Sequence, residues 1–169
     1  TRRSSDLYEY IQALQLVDLN WSILQLKASA HAELSHSTEE ELRNLLEDKL
    51  MRDADRAFDL EYDAFIEAGG DENDFEGSID RQKIERDSSA IVEGLKSQEP
   101  TKREAATARA ISLGVDPRLV LSGQMLDNRQ YQRHECALPD LEKRVRLMSA
   151  EYRELQRARP IEVVPAAAE

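Results

Sequence analysis

The sequence predicts an all-α protein: an antiparallel helical bundle around a buried N-terminal helix, closed by a long kinked C-terminal helix or helical hairpin. Three observations carry this. Asp6 to Leu34 is the most apolar stretch, and its large side chains, from Leu7, Tyr8, Tyr10 and Ile11 to Trp21, Ile23, Leu24 and Leu26, leave no clean polar face. A helix that is apolar all round is normally buried. Leu42 to Ile66 repeats apolar residues at steps of three and four, the signature of an amphipathic helix. The composition is 40% hydrophobic, 5% aromatic and 34% charged with 6 Gly and 5 Pro, which favours long helices over a turn-rich sheet. At 169 residues the chain can enclose one core. Residues 1–159 are expected as a single helical domain and 160–169, which contain Pro160 and Pro165, as a flexible tail.

The first helix is expected to start behind a Ser4 or Ser5 cap, with Asp6 and Glu9 near its positive end, and to run to about Leu34. Glu9, Asp18 and the amides Gln12, Gln15, Asn20 and Gln25 interrupt the run of about 20 apolar residues that crossing a membrane requires. Ser37-Thr38-Glu39-Glu40 reads as a capping box opening a second helix, so Ser35-His36 should be a short loop between antiparallel neighbours. That second helix carries Leu42, Leu45, Leu46, Leu50, Ala54, Phe58, Tyr62 and Phe65 and should stop at Gly69-Gly70.

Gly70 to Ser78 is the most acidic loop, and 72–83 echoes a calcium loop with Glu72, Asp74 and Glu76 as early ligands and Gly77 at the sharp turn. The pattern then departs: Lys83 holds the twelfth position, which needs a bidentate Glu, and Glu72 replaces the compact Asp at the first. A solvated acidic turn is the stronger reading. Ile79 to Leu95 is a shorter helix carrying Ile84, Ala90, Ile91 and Leu95. Thr101 should cap an alanine-rich helix ending at Leu113-Gly114, and Asp116-Pro117 restarts a helix with a cap followed by proline in the first turn. From Pro117 the pattern continues to about Arg159, with a kink or break expected at Pro139, which lacks a donor and crowds the carbonyl of Glu135.

Within that last helix Leu141, Val145, Met148, Tyr152 and Leu155 step by four, three, four and three, a heptad seam flanked by charged residues. These five are the candidate partner-binding residues. The seam either closes the chain's own core or pairs with another helix, and intramolecular packing is the stronger alternative because about two clean heptads are short for stable self-association. Upstream, the same phase lands on Leu138, His134, Tyr131, Asp127, Gln124 and Val120, a poorer seam.

Candidate chemistry is sparse. His31 and His36 lie five apart and no carboxylate repeat completes a metal set; His134 and Cys136 lie two apart and cannot face each other on a helix. No Glu-x-x-His, phosphate loop, nucleophile elbow or dinucleotide fingerprint occurs. Trp21, Tyr8 and Tyr10 are expected as core aromatics rather than a stacking site. No catalytic residue, metal ligand or cofactor is therefore expected. Cys136 is the only cysteine, which fits a reducing cytoplasm, and the N-terminus lacks a signal-peptide core. The chain opens on Thr1 rather than Met, so a trimmed or partial chain is expected.

The run VDLNWSILQLKASAHAEL resembles the opening helix of a group of uncharacterised bacterial helical proteins with the pattern V-D-x-x-W-E-x-x-R-L-x-R-L-K, with Ser22 and Gln25 in place of its charged positions. LEKRVRLMSAEYRELQRAR resembles their Ala/Arg/Glu-rich terminal helix. The resemblance covers the two ends of the chain and implies an all-helical fold without assigning an activity. The expected function is a non-enzymatic interaction or assembly protein that binds a protein partner or itself. The alternative is a nucleic-acid-associated or acidic regulatory protein using Arg144, Arg146, Arg153, Arg157 and Arg159. A net charge of −11 argues against simple phosphate-backbone binding.

Overall fold

The computed structural model describes residues 2–158, apart from the side chains of residues 2–5 and 73. The tail at 160–169 and Arg159 lie outside the described residues. The chain is all-α: α1 (Arg2–Glu67), α2 (Arg81–Lys96), α3 (Pro100–Ser112), α4 (Pro117–Asp127) and α5 (Arg129–Arg157), with a 3-10 turn at Glu72–Asp74. They form two compact units. One holds the residues up to Ala32 together with those from Arg129 onward, and the other is Glu33–Asn128.

Several boundaries differ from expectation for identifiable reasons. Ser4 and Ser5 lie inside α1, which starts at Arg2. The capping box at Ser37 does not open a helix, because α1 runs through it without a Ser35-His36 loop. Ser37 Oγ instead donates to the Leu34 carbonyl at 3.2 Å and accepts from Asn128 Nδ2 at 3.0 Å, so its oxygen is occupied in a way compatible with a helix interior. Thr101 is not the cap of α3; that position is Glu99, with Pro100 taking the first turn, where its missing N–H costs nothing. The Glu99 carboxylate holds Lys102 Nζ at 2.7 Å and Thr101 Oγ1 at 2.9 Å, and these partners keep it below the usual carboxylate range. The C-terminal helical region divides at Asn128 and not at Pro139, which sits inside an unbroken α5.

Two glycine stops behave as the sequence requires. Gly69 at φ +85° and Gly114 at φ +79° take the left-handed conformation that ends a helix. Gly69 N donates to Ile66 O and Gly70 N to Phe65 O, a Schellman pair that satisfies the last carbonyls of α1. The same pair recurs at Gly114 and Val115, and it carries Val115 down beside Ala110, where both are buried. The helices on either side of this turn are thereby tied to one core.

That core belongs to the Glu33–Asn128 unit and consists of Leu42, Leu46, Ile91, Val92, Ala110 and Val115, with Leu45, Leu95, Leu113 and Val120 against it. Two cross-helix bonds fix how α2 lies on α1. Lys96 Nζ meets Glu39 Oε2 at 2.9 Å and Ser88 Oγ lies 3.1 Å from Glu47 Oε1, so residue numbers rise on one helix as they fall on the other. The pair is antiparallel. Ser88 is fully buried, and its hydroxyl also lies within bonding distance of the Glu85 carbonyl, so it is not stranded. Small residues set the α2–α3 separation: a Cβ built on Gly94 would stand 2.7 Å from Ala106 Cβ.

That approach makes Gly94 a discriminating position. An interior helical Gly→Ala change ordinarily gains up to about 1 kcal/mol. Gly123→Ala in α4, where nothing lies within 4 Å of the new methyl, is expected to show this gain. Gly94→Ala is expected to lose about 1–2 kcal/mol instead, because two helix backbones must separate. Urea unfolding of both variants checks this, and equal gains would contradict the close approach.

Candidate interaction surface

The five candidate partner-binding residues Leu141, Val145, Met148, Tyr152 and Leu155 lie along one stripe of α5, each half-buried. The stripe also extends further upstream than the sequence reading allowed. Leu138 is buried, and His134 and Tyr131 are half-buried, in the same three-and-four phase. Asp127, Gln124 and Val120 drop out because Asn128 ends α4 first.

The N-terminal part of α1 carries a matching stripe. Glu9, Gln12, Ile23 and Ala30 are buried and Leu16, Leu19 and Leu26 half-buried, again at steps of three and four. Lys27 Nζ meets Glu142 Oε1 at 3.0 Å, while Leu155 shares a cleft with Tyr8 and Gln12. Positions near the start of α1 thus lie by the end of α5, which is an antiparallel arrangement. Lys27 and Glu142 each follow a seam residue by one position, the flank where coiled-coil ion pairs form. Both side chains are about half exposed, so the pair reports register and adds at most about 1 kcal/mol.

The remainder of the α1 segment overturns the expectation of a buried N-terminal helix. Leu7, Tyr8, Tyr10, Ile11, Leu14, Val17, Trp21 and Leu24 are all exposed. The physical reason is packing on one side only: among the described residues of its unit this part of α1 has α5 as its one helical neighbour, and one neighbour covers one stripe. Trp21, Tyr8 and Tyr10 are therefore not core aromatics. In place of the expected all-round apolar helix there are two stripes, one facing α5 and one facing away. The signal that separates them is present in the sequence, since Leu7, Tyr10, Leu14, Val17, Trp21 and Leu24 keep their own steps of three, four, three, four and three.

Other candidate chemistry resolves into structural roles. In the acidic loop, Asp80 caps α2 by accepting from Lys83 N at 3.0 Å, and Glu72 and Asp74 lie in a 3-10 turn. Phe75 sits against Phe58, Tyr62 and Phe65, with ring centroids 5.2–5.4 Å apart, so the loop is anchored on the end of α1 by aromatic contact. Among the described residues no three His, Cys, Asp or Glu side chains group to hold a metal ion. His31 and His36 are exposed on α1, and Cys136 is exposed while His134 is half-buried on α5. Arg144, Arg146, Arg153 and Arg157 are exposed among Glu142, Glu151 and Glu154. Among the described residues no helix is long and apolar enough to cross a membrane.

Comparison with family models, with curated proteins and with solved structures gives no match.

Tyr62 provides a probe of the aromatic anchor. Its phenol is pushed above its usual value, first by desolvation, then by its hydrogen bond to Glu72 and the charges of Glu72 and Asp63. A raised acid favours its neutral form, so this contribution to stability is full below the unfolded value near pH 10 and is lost as pH rises through the folded value. Phe75→Ala is expected to remove the largest cause and Glu72→Gln the next two, each lowering the Tyr62 titration midpoint. Ultraviolet titration against a Tyr62→Phe control checks this; an unmoved midpoint in both variants would contradict the anchor.

Proposed function

We propose that the protein is a non-enzymatic helical interaction or assembly protein that binds a protein partner or itself, acting in the cytoplasm without a cofactor. The observation that carries this reading is the outward stripe of α1, a contiguous row of large apolar side chains left in water. A row of that size on a folded chain marks a contact surface more often than chance exposure. Aromatic residues are prominent in it, as they are at the centres of protein interfaces.

Charge favours a protein partner over an anionic one. Residues 4–26 contain Asp6, Glu9 and Asp18 and neither Lys nor Arg. Helices that lie on membranes carry basic residues on their polar face, and phosphate-backbone binders need cations in number. An exposed single cysteine, Cys136, suits a reducing compartment.

The test is nuclease-treated recovery of the tagged chain from cells that also express the untagged chain, alongside a Trp21→Glu variant. A stoichiometric protein, whether another protein or the untagged chain, is expected with the unaltered chain and is expected to fall by at least about tenfold with the variant, as for a lost interface aromatic. Recovery of the chain alone contradicts the reading. Recovery of a partner only when nucleic acid is left intact replaces it with the nucleic-acid alternative.

A further inference from the structure

The outward stripe has an order that goes beyond being apolar. Along α1 it reads Leu7, Tyr10, Leu14, Val17, Trp21, Leu24, with exposures between 46% and 64%. Reversed, the order of side-chain classes is unchanged: leucine at each end, an aromatic next, an aliphatic pair at the centre. Two such helices laid antiparallel about a twofold axis between residues 15 and 16 place Leu7 opposite Leu24, Tyr10 opposite Trp21 and Leu14 opposite Val17, each layer occurring twice. An isologous contact requires this self-complementarity, because every residue on one copy must suit the residue that faces it on the other.

We propose that the occupant of this face is a second copy of the chain, paired antiparallel through Leu7 to Leu24 of α1. The proposal rests on the interaction reading above and names its partner. The spacing supports it, since three-and-four steps are those of a helix-packing seam, and α1 already uses the same steps, two residues out of phase, for its inner stripe. Two residues correspond to about 200° around a helix, so the stripes lie on opposite sides and one does not obstruct the other. The area supports it as well. Large side chains exposed by about half contribute on the order of 100 Å² each, so six give roughly 600–800 Å² per copy, close to the about 800 Å² per partner of a stable specific interface. The flanks add little charge conflict. Asp6 and Asp18 are the acidic flanking residues, and Ala13, Asn20 and Gln25 are neutral.

In this register Asp18 approaches its own counterpart on the second copy, occupying the flank that Lys27 and Glu142 occupy in the inner seam. Like charges there oppose pairing slightly. Asp18→Asn is therefore expected to tighten association by about two- to fivefold, and more at low salt than at high.

The experiment is light scattering of the purified full chain across micromolar concentrations, with the double variant Leu14→Glu/Val17→Glu and far-ultraviolet circular dichroism as the folding control. The unaltered chain is expected at twice the chain mass. The variant, whose altered side chains are both exposed, is expected to keep its helicity and to weaken association by about 100-fold or more, the effect of losing about 3 kcal/mol. Direction is read separately in a Cys136→Ser background by mixing Leu7→Cys and Leu24→Cys chains: oxidation is expected to join position 7 to position 24. Single-chain mass for the unaltered chain, or a double-mass species that survives the double variant, overturns the proposal. So do disulfides joining only like positions. If the purified chain is single while the recovery experiment still yields a different stoichiometric protein, the self-pairing falls and the interaction reading stands.

Discussion

Everything in this protein depends on α1 remaining one helix through Ser35 to Thr38. The local sequence offers the backbone a way out, a serine with a glutamate three residues on, and the structure declines it. A helix start at Ser37 would need its hydroxyl to accept from a backbone amide. That hydroxyl instead caps nothing: it donates to the Leu34 carbonyl and accepts a hydrogen bond from the Asn128 side-chain amide. Thr38, one residue on, is buried. With the helix unbroken, its residues up to Ala32 belong to one unit and those from Glu33 onward to the other. A single helix thus provides one wall of each unit.

The two units use that wall in different ways. Between Glu33 and Asn128, α2, α3 and α4 join α1 around one apolar core, with Leu46 fully buried and small residues at Gly94, Ala106 and Ala110. Such a core gains from close packing rather than from large side chains, which is consistent with a chain that is only 5% aromatic. The unit that pairs the start of α1 with α5 has one stripe against one stripe. Among the described residues its buried apolar side chains are Ile23, Ala30 and Leu138, and the polar Glu9 and Gln12 share the seam. Gln12 Nε2 donates to the Tyr8 hydroxyl at 2.9 Å while its Oε1 has no partner. A polar seam position costs stability and fixes register. A seam this thin leaves the outer half of α1 in water, and that is the origin of the surface on which the functional proposal rests.

Much of this was legible in the sequence. The all-helical class followed from composition and periodicity. The glycine stops at 69 and 114 and the Asp116-Pro117 start follow from local backbone chemistry alone, and each is where the residues place it. Failures occurred where tertiary partners outbid local signals. The Ser37 box lost to Asn128, 91 residues away. Pro139 stays inside a helix that ends upstream at Asn128, so the strongest helix breaker in that region is not the breaker used. The α5 stripe is readable from Leu141 to Leu155, and its upstream phase through Leu138, His134 and Tyr131 is readable too, but that this poorer seam is covered depends on the structure. The largest misreading was of α1 itself. Twelve large apolar side chains between residues 7 and 26 look like an all-round core helix until it is known how many neighbours there are to cover them.

Hydrogen exchange along α1, read peptide by peptide, tests the central claim most directly. If the helix is continuous, the amides from His31 to Glu40 exchange as slowly as those on either side, since each donates to a carbonyl four residues back and no end is present to fray. Fast exchange confined to Ser35 through Thr38 would mean that the capping box does open a second helix, and the account of one wall shared by two units would be wrong.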